Sequence, residues 1–270
     1  MRTLKVLAVL LLGCFLGARG ICAESITIKG STTVLPIAQA AAEVFMDDNP
    51  GVNISVQGGG SGVGIASIID GTCDIGDASR PIKDAELSTA ADNGVNPKAY
   101  VVAMDGIAVV VHPSNPVTAL SKKQIKDIYT GKISDWSEVG GNMGKIVVLG
   151  RDSSSGTFEA FESLALSKAK VRADALLNAS NQAVASTVAR TPGAIGYVGL
   201  GYVTSEIKAV TVDGVMPSKE TVLSGEYPLS RPLFMYTNGK PKGVVKEFID
   251  FVLSQQGQHL VEENGYVGLK

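Results

Sequence analysis

The hydrophobic and polar positions of the chain repeat one pattern: a strand-like run, a turn rich in glycine and hydroxyl residues, and a run with helical spacing. The strand-like runs cover residues 25–29, 52–57 and 146–149. Apolar residues at helical spacing follow over 34–47, over 65–69, and from Phe158 to Ala165. A period of two predicts a strand, and a spacing of three and four predicts an amphipathic helix. The pattern therefore predicts an α/β chain in which these strands each lead into a helix.

The last of these turns, Gly150-Arg-Asp-Ser-Ser-Ser-Gly-Thr157, has the chemistry of an anion site. The start of a helix leaves backbone N–H groups unpaired, and the partial positive charge there attracts an anion. Ser155 and Thr157 add hydroxyl donors, and Arg151 adds a planar fork that fits a tetrahedral oxyanion with two bonds. Apart from Asp152 the turn has no proton-transfer group, so it predicts that an anion is held rather than transformed.

The turns at 30–33 and 58–64 have the same design. Ligands of open α/β sheets lie at the carboxyl ends of the strands, where such turns gather, so we expect the three turns to share one anion pocket. The alternative is that they are unrelated helix caps, since serine and threonine are ordinary N-cap residues. The glycines of 58–64 match neither common nucleotide-binding pattern, and nucleotide binding is not supported.

Composition and charge exclude several other classes of function. The 270-residue chain has 24 basic and 26 acidic residues, and without the three basic residues of 1–23 the balance is 21 against 26. A protein with net negative charge is a poor candidate for binding nucleic acid or an anionic membrane. The chain has two histidines, and Cys73 is its one cysteine after residue 23. No metal site, cofactor or histidine-based catalytic site is therefore expected.

The first 23 residues have the features of a signal peptide. Arg2 and Lys5 form a charged start, residues 6–16 form an apolar run too short to span a bilayer, and Ala23 ends a stretch with small residues. We therefore predict an exported, soluble, periplasmic protein that begins at Glu24. The alternative is a lipoprotein signal, with Cys14 lipidated and retained.

Six segments resemble, in the same order, the phosphate-binding protein of bacterial ABC-type phosphate uptake systems. They are Gly30-Ser-Thr-Thr-Val-Leu-Pro36, Gly58-Gly-Gly-Ser-Gly62, Asp74-Ile-Gly-Asp-Ala-Ser-Arg-Pro81, Gly131-Lys-Ile-Ser-Asp-Trp-Ser-Glu-Val-Gly-Gly141, Gly150-Arg-Asp-Ser-Ser-Ser-Gly-Thr157 and Pro192-Gly-Ala-Ile-Gly-Tyr-Val198. They spread over nearly all of the chain after the leader. Each segment alone is weak, whereas the set in this order indicates the family.

The resemblance implies an α/β fold of the two-lobed periplasmic binding protein type (type II), with a ligand cleft between the lobes and two crossover strands. The residues themselves place the crossings. The apolar run over 100–111 is long enough to leave one lobe and enter the other, and 229–236 is a second strand-like run. We therefore expect a first lobe of residues 24–108 and 229–270, and a second lobe of residues 109–228.

The resemblance also implies which residues bind the ligand. They are Arg151, Ser155, Gly156 and Thr157 in the second lobe, and Thr32, Thr33, Ser61 and Ser79 in the first. Asp152 is expected to orient the guanidinium of the arginine beside it.

Ser79 marks a departure from the family pattern. The family commonly has a carboxylate at this position, which accepts the proton that phosphate carries and sulfate lacks. Asp77 is our candidate for a substitute carboxylate, and Arg80 is a candidate for a further positive charge in the pocket. The alternative for Arg80 is a surface arginine in the turn before Pro81.

The predicted function is the capture of inorganic phosphate by a monomer that delivers it to a membrane-embedded ABC permease. The alternative within the same class is a binder of another oxyanion, such as molybdate, tungstate or sulfate. The alternative from another class is a hydrolase of phosphate esters with a serine nucleophile. Against the hydrolase, no serine lies in a Gly-x-Ser-x-Gly motif, and neither histidine is near the serine turns in sequence.

Overall fold

The computed structural model describes residues 24–142 and 144–269. The predicted signal peptide, its cleavage site after Ala23 and the alternative lipidation site at Cys14 lie outside these residues. In the part of the chain that the structure describes, no helix is long and apolar enough to cross a membrane.

The first lobe is built from strand–turn–helix units, as the sequence predicted. Its strands are β1 (Glu24–Gly30), β2 (Val52–Gly58) and β3 (Ile75–Ala78), and its first helices are α1 (Leu35–Asp48), α2 (Ser61–Ile69) and α3 (Asp84–Asp92). β1 lies between β2 and β3 and pairs with both in parallel. Parallel strands joined by helices end at one edge of the sheet, and the turns after these strands therefore meet there.

Helix α2 begins four residues earlier than the predicted start at residue 65, because Gly62 and Gly64 lie inside the helix. A Cβ atom at Gly64 would lie 2.4 Å from the carbonyl oxygen of Asp77 and 2.9 Å from the Cα of Gly30. A glycine is therefore required where the helix packs directly on the backbone of β1 and β3. This packing places the start of α2, with Ser61, at the edge of the sheet.

Two long strands connect the lobes: β4 (Pro97–Val111) and β11 (Ser230–Asn238). They pair in antiparallel register over residues 97–106 of β4. After β11, helices α8 (Gly243–Leu253) and α9 (Gln255–Glu263) return to the first lobe. Phe248 of α8 there contacts Phe45 of α1 edge to face, with the ring centroids 5.5 Å apart. The predicted crossing runs are confirmed.

The second lobe lies between these two strands in sequence. Its strands are β5 (Ala119–Leu120), β6 (Val147–Arg151), β7 (Leu176–Asn178), β8 (Ala194–Gly199), β9 (Lys208–Ala209) and β10 (Thr211–Val212). Its helices are α4 (Lys122–Tyr129), α5 (Gly156–Leu164), α6 (Asn181–Arg190) and α7 (Lys219–Leu223), with short 3-10 turns at Trp136–Val139 and Leu200–Tyr202. β6 pairs in parallel with β7 and with β8, so the turn between β6 and α5 lies at a carboxyl edge, as in the first lobe.

One sheet runs through both lobes in the order β2-β1-β3-β11-β4-β8-β6-β7. The last residues of β4, 107–111, pair with β8, so this strand belongs to the sheet of both lobes. β11 lies between β3 and β4, in the middle of the sheet, although it comes late in the sequence. The crossing strands are therefore also the strands nearest to the boundary between the lobes.

The buried apolar residues form clusters that follow the lobes. In the first lobe, residues of β1, α1 and α8 pack together. In the second, the ring of Phe161 stacks on Tyr197, with centroids 4.0 Å apart, and meets Tyr129 edge to face. We propose the lobe bounds predicted from the sequence, 24–108 with 229–270 and 109–228, because each cluster draws its residues mainly from one of the two sets.

Candidate anion-binding site

The glycine and hydroxyl turns meet between the two lobes. Thr33, after β1, and Thr157, in the first turn of α5, bring their hydroxyl oxygens to 3.0 Å. Ser61, at the start of α2, and Ser79, after β3, bring theirs to 3.3 Å. All four side chains are at most 1 % exposed. The structure therefore gathers hydroxyls from both lobes at one point, as a shared pocket requires.

Gly156, the first residue of α5, lies against the two serines. A Cβ atom at this position would lie 2.2 Å from the Oγ of Ser61 and 2.9 Å from the Oγ of Ser79. Such distances are too short for any side chain. The lobes can therefore approach each other here only through a glycine.

The serines at the helix starts have their protons free to donate. The hydroxyl oxygen of Ser155 accepts the N–H of Phe158 at 3.1 Å and caps α5. The hydroxyl oxygen of Ser61 accepts the N–H of Ser79 at 2.9 Å. Because each oxygen already accepts a backbone hydrogen, its own O–H remains as a donor. Helices α2 and α5 both start here, and their partial positive charges add to those donors.

Arg151, the last residue of β6, is 2 % exposed. Its Nε donates to the carbonyl of Asn178 at 3.0 Å, and its Nη2 donates to the carbonyl of Ala179 at 3.1 Å. Its Nη1 is buried and has no partner among the described residues. Burial lowers the pKa of the guanidinium, while Asp152 nearby acts in the opposite direction. The site thus has a buried positive charge with a nitrogen left to bind an anion.

Asp152 does not orient this guanidinium, contrary to our expectation. Its Oδ1 accepts the N–H of Ser154 at 2.9 Å and the hydroxyl of the same residue at 2.5 Å. A short acidic side chain commonly closes a turn by bonding the backbone two residues on. The carbonyls of Asn178 and Ala179 orient Arg151 instead.

A second arginine, which the sequence analysis missed, lies among the hydroxyls. Arg231 of β11 is opposite Asp105 of β4 in the strand register, and its Nε and Nη2 donate to Oδ2 of that aspartate at 3.0 and 2.8 Å. The same guanidinium donates to the hydroxyl oxygens of Thr33, Ser79 and Thr157 at 3.1 to 3.2 Å. A sequence signal was present, because each apolar crossing run contains one of these charged residues, and a buried charge usually has a partner.

Asp105 is fully buried, and its Oδ1 accepts the N–H of Leu200 at 2.9 Å. Burial raises the pKa of this carboxyl, although the guanidinium of Arg231 opposes the change. The two side chains form an ion pair that is neutral as a whole. The pair therefore fixes the positions of the neighbouring hydroxyls without adding net charge to the site.

Asn181, the first residue of α6, is also fully buried and contacts the first turn of the chain. Its Nδ2 donates to the Oγ1 of Thr32 at 3.1 Å and to that of Thr33 at 3.0 Å. Its Oδ1 accepts the N–H of Gly199 at 3.1 Å, which fixes the orientation of the amide. The hydroxyl of Tyr202 donates to the carbonyl of Thr32. The turn after β1 is thus held by residues of the second lobe.

Arg80 lies beside the site but does not enter it. Its Nη1 and Nη2 donate to the two carboxylate oxygens of Glu86 at 2.8 and 2.7 Å, and its Nε lies 2.9 Å from Oε2 of Glu159 in the second lobe. Lys83 lies 2.8 Å from the same oxygen of Glu159. Burial alone would lower the pKa of Arg80, but the two carboxylates raise it. The structure therefore places Arg80 in an ion-pair cluster between the lobes, with hydrogen bonds to Glu86 and a charge contact to Glu159.

Asp77 is 1 % exposed, and within the described residues its Oδ1 has no hydrogen-bond partner. Burial raises the pKa of this carboxyl well above its usual range. No hydroxyl of the site bonds it in the part of the chain that the structure describes. The geometry gives no support to Asp77 as a substitute for the family's carboxylate.

The arrangement can hold an anion, and among the described residues no base bonds the hydroxyls of Thr33, Ser61, Ser79 or Thr157. Asp105, the carboxylate behind this group of hydroxyls, is already bonded to Arg231. The histidines lie elsewhere: His112 bonds Ser114, and His259 pairs with Glu263. A hydroxyl without a base is a weak nucleophile, so the chemistry of the site is binding.

Sequence comparisons connect the chain to proteins of known function. The family model of the PBP superfamily domain matches residues 20–256. The phosphate-binding protein PstS of Bacillus subtilis (strain 168) is 39% identical over 248 residues, which is 90% of this chain and 80% of that protein. The phosphate-binding protein PstS of Staphylococcus aureus (strain MRSA252) is 36% identical over 252 residues, 88% of this chain and 76% of that one.

Solved structures have the same fold. The structure of a phosphate ABC transporter substrate-binding protein with bound phosphate from Clostridium perfringens is 38% identical, with a TM-score of 0.86, and covers 92% of this chain and 100% of that one. An ABC-type phosphate transport receptor from Vibrio cholerae is 34% identical, with a TM-score of 0.74, and covers 90% of this chain and 99% of that one.

Proposed function

The chain belongs to the family of phosphate-binding proteins within the PBP superfamily, and on that premise we propose that it captures inorganic phosphate between its lobes and delivers it to a membrane-embedded ABC permease. The family consists of transport proteins that bind their substrate, not of enzymes. The fold has the two lobes that this role requires.

One observation carries the proposal: buried hydroxyls from both lobes meet at the turn that begins with Arg151, and this arginine has a nitrogen without a partner among the described residues. The hydroxyls of Thr33, Ser61 and Ser79 come from the first lobe, and that of Thr157 comes from the second. Arg151 provides a positive charge whose Nη1 has no partner among the described residues. A tetrahedral anion would accept hydrogen bonds on every oxygen and neutralise the buried charge. We therefore propose Thr32, Thr33, Ser61, Ser79, Arg151, Ser155, Gly156 and Thr157 as the phosphate-binding residues.

Contacts across the lobe boundary support closure around the ligand. The N–H of Gly62 donates to the carbonyl of Ser154 at 2.9 Å, and the hydroxyl oxygen of Ser154 lies 3.0 Å from the carbonyl oxygen of Gly59. Arg80 of the first lobe pairs with Glu159 of the second. These bonds require the lobes to be close, so we propose that phosphate enters an open cleft and that binding brings the lobes together.

Calorimetry tests the proposal. Phosphate, sulfate and molybdate would be titrated into the same sample of purified protein, and we expect phosphate to bind at one site and most tightly. Tighter binding of sulfate or molybdate would assign the protein to another oxyanion. A chromogenic phosphate ester should release no phosphate in the presence of the protein. Turnover of the ester would revive the hydrolase alternative.

We further propose that the protein is exported, cleaved after Ala23 and monomeric. The features of residues 1–23 support the first two points. Intact-mass measurement of the exported protein should give an unlipidated chain that begins at Glu24, and light scattering should give the mass of a single chain. A chain that begins at a diacylated Cys14 would show lipid anchoring instead, and a mass of two chains would contradict the monomer.

A further inference from the structure

We propose that Arg231, held in place by Asp105, is a positioning residue that fixes the direction in which the hydroxyls of the site donate. The site then favours the phosphate dianion over the monoanion. The inference rests on the proposed function, and it concerns the form of phosphate that this site selects.

The guanidinium of Arg231 has no donor left for a ligand. An arginine has five N–H groups and no acceptor. The Nε and one Nη2 hydrogen bond Asp105, and the two Nη1 hydrogens bond the carbonyl and the hydroxyl of Ser79 at 3.1 and 3.2 Å. The second Nη2 hydrogen lies between the hydroxyl oxygens of Thr33 and Thr157, at 3.2 and 3.1 Å. Arg231 therefore acts through the hydroxyls rather than by touching the anion.

The hydroxyl of Thr33 can only donate. Its oxygen accepts from Nη2 of Arg231 and from Nδ2 of Asn181, at 3.2 and 3.0 Å, and neither group can act as an acceptor. Both lone pairs of the oxygen are thus in use. The proton of Thr33 then points to the oxygen of Thr157, 3.0 Å away, or to a bound ligand.

The hydroxyl of Thr157 is fixed in turn. Its oxygen accepts from Arg231 at 3.1 Å, and with the proton of Thr33 it accepts a second bond. Its own proton then remains for the ligand. Two nitrogens that can only donate, Nη2 of Arg231 and Nδ2 of Asn181, thus give the row Thr33–Thr157 one direction, toward the anion. A ligand oxygen at this end of the site accepts from Thr157, and a proton on that oxygen would find no acceptor, because both threonine oxygens already accept two hydrogen bonds.

Dianionic phosphate has three unprotonated oxygens and the monoanion has two. The outward donors are Nη1 of Arg151 and the hydroxyls of Ser155 and Thr157, with one proton from the pair Ser61–Ser79. One phosphate oxygen can accept from more than one donor, but each proton on the ligand needs an acceptor, and an unpaired polar group at a buried site is costly. The dianion carries one proton and the monoanion carries two, so the dianion leaves fewer protons facing donors.

The double variant Asp105→Asn with Arg231→Gln keeps the net charge of the site. It no longer forces the hydroxyls of Thr33 and Thr157 to donate toward the ligand. An amide at position 231 can donate, but it can also accept, and it no longer saturates both threonines. Long-range attraction of the anion is unchanged, since the native pair has no net charge. A difference in binding then reports on donor direction.

The other charged and titratable groups around the pair are Arg151, Tyr197, Tyr202, Tyr227 and Tyr266. Burial raises the pKa of each tyrosine, to about 12 for Tyr202, so the tyrosines stay neutral between pH 6 and 8. Arginine stays charged over the same range. Asp105 is the remaining group, and the single variant Asp105→Asn shows whether its titration contributes.

The experiment measures the affinity of the full chain for phosphate and for sulfate at pH 6 and pH 8. For the native protein we expect phosphate to bind roughly tenfold more weakly at pH 6, because the dianion becomes scarce. In the double variant we expect a loss of about tenfold at pH 8 and less than threefold at pH 6. Sulfate carries no proton at either pH, and its loss should be equal at both. The 31P chemical shift of bound phosphate should show the dianion at pH 6 in the native protein and a larger share of monoanion in the double variant.

The matched control is Arg80→Gln with Glu86→Gln, a buried arginine pair that bonds no hydroxyl of the site. It should change phosphate affinity by the same factor at both pH values. The melting temperature of each variant without ligand verifies folding, and the 31P measurement at saturating phosphate keeps a weakened variant informative.

Equal losses at pH 6 and pH 8 in the double variant would overturn the inference, as would loss of the pH dependence in Asp105→Asn alone. The proposed function fails separately. If the native protein binds sulfate but not phosphate, a pH-independent loss of sulfate binding in the double variant still supports donor direction. If the native protein binds neither anion, both proposals are wrong.

Discussion

Two buried arginines of this protein have the same side chain and opposite roles. Arg231, on a crossing strand, bonds a carboxylate and uses every N–H within the protein. Arg151, at the end of a second-lobe strand, bonds only carbonyls and keeps one nitrogen unpaired in the described structure. Arg151, which has no carboxylate partner among the described residues, therefore provides the positive charge for an anion. Arg231, which has one, holds the hydroxyls of the site in place.

The largest effect should come from removing the free charge. Arg151→Ala should weaken phosphate binding by roughly a hundredfold or more, since loss of a desolvated charge partner costs about 2–5 kcal/mol. Calorimetry measures it. Arg190→Ala is the control, because that arginine is exposed at the end of α6. A loss below threefold for Arg151→Ala would remove the distinction between the two arginines.

A smaller effect should follow when both arginines are kept and the hydroxyls are displaced. Gly156→Ala puts a methyl group 2.2 Å from the Oγ of Ser61, and relief of that overlap should cost about 1–3 kcal/mol, which is roughly tenfold in phosphate affinity. Gly62→Ala is the matched control, because a Cβ there meets Ser154 at an ordinary 3.4 Å. Equal affinities of the two variants would mean that the charges bind phosphate without the hydroxyls.

Arg80 extends the comparison, as an arginine whose carboxylate partners come from both lobes. Glu159→Gln should weaken phosphate binding about two- to fivefold, since partly exposed ion pairs contribute about 0.2–1 kcal/mol. The effect should shrink in high salt. Glu162→Gln, on the same helix, should leave the affinity unchanged. A salt-independent loss in Glu159→Gln would show that the pair does not act by charge.

The smallest effect is a change in melting temperature, and it concerns the two buried aspartates. Asp105 has an arginine partner, and Asp77 has none among the described residues. With the pKa of Asp77 raised by burial, the folded state holds its proton above the pH at which the unfolded chain loses it. Stability therefore falls as pH rises above the unfolded pKa. Asp77→Asn should melt a few degrees higher at pH 8, and this gain should vanish near pH 4.

The exposed Asp92→Asn provides the control for that melting series. The ratio of phosphate to sulfate affinity should stay unchanged in Asp77→Asn, because no hydroxyl of the site bonds this carboxyl in the described structure. A narrowed ratio would restore Asp77 as the residue that distinguishes the two anions.

The sequence predicted the strand–turn–helix units and their meeting point, because these depend on local spacing and on the rule that parallel strands end at one edge. It did not reveal the pair of Arg231 and Asp105. The two residues are 126 positions apart, and their contact depends on the register between β4 and β11. The sequence around either residue does not specify that register. The one available signal was a charge within each apolar run.

Arg80 and Asp152 show a second limit of the sequence. Both are next to site residues in the chain, and adjacency suggested a role in the pocket. Arg80 instead pairs with Glu86 and Glu159, and Asp152 instead bonds Ser154 within its own turn. Which polar group a side chain meets is decided by packing between elements, and spacing along the chain does not describe that packing.

The place of β11 in the sheet has a consequence for how the protein folds. Residues 109–228 are continuous in sequence and can form their contacts while the chain is still incomplete. The first lobe cannot, because its central strand is among the last segments to be synthesised and must insert between β3 and β4. Such non-local pairing is slow compared with local contacts. Arg231 arrives with that strand, so the hydroxyls that it bonds in both lobes gain their fixed arrangement only after this last strand has paired.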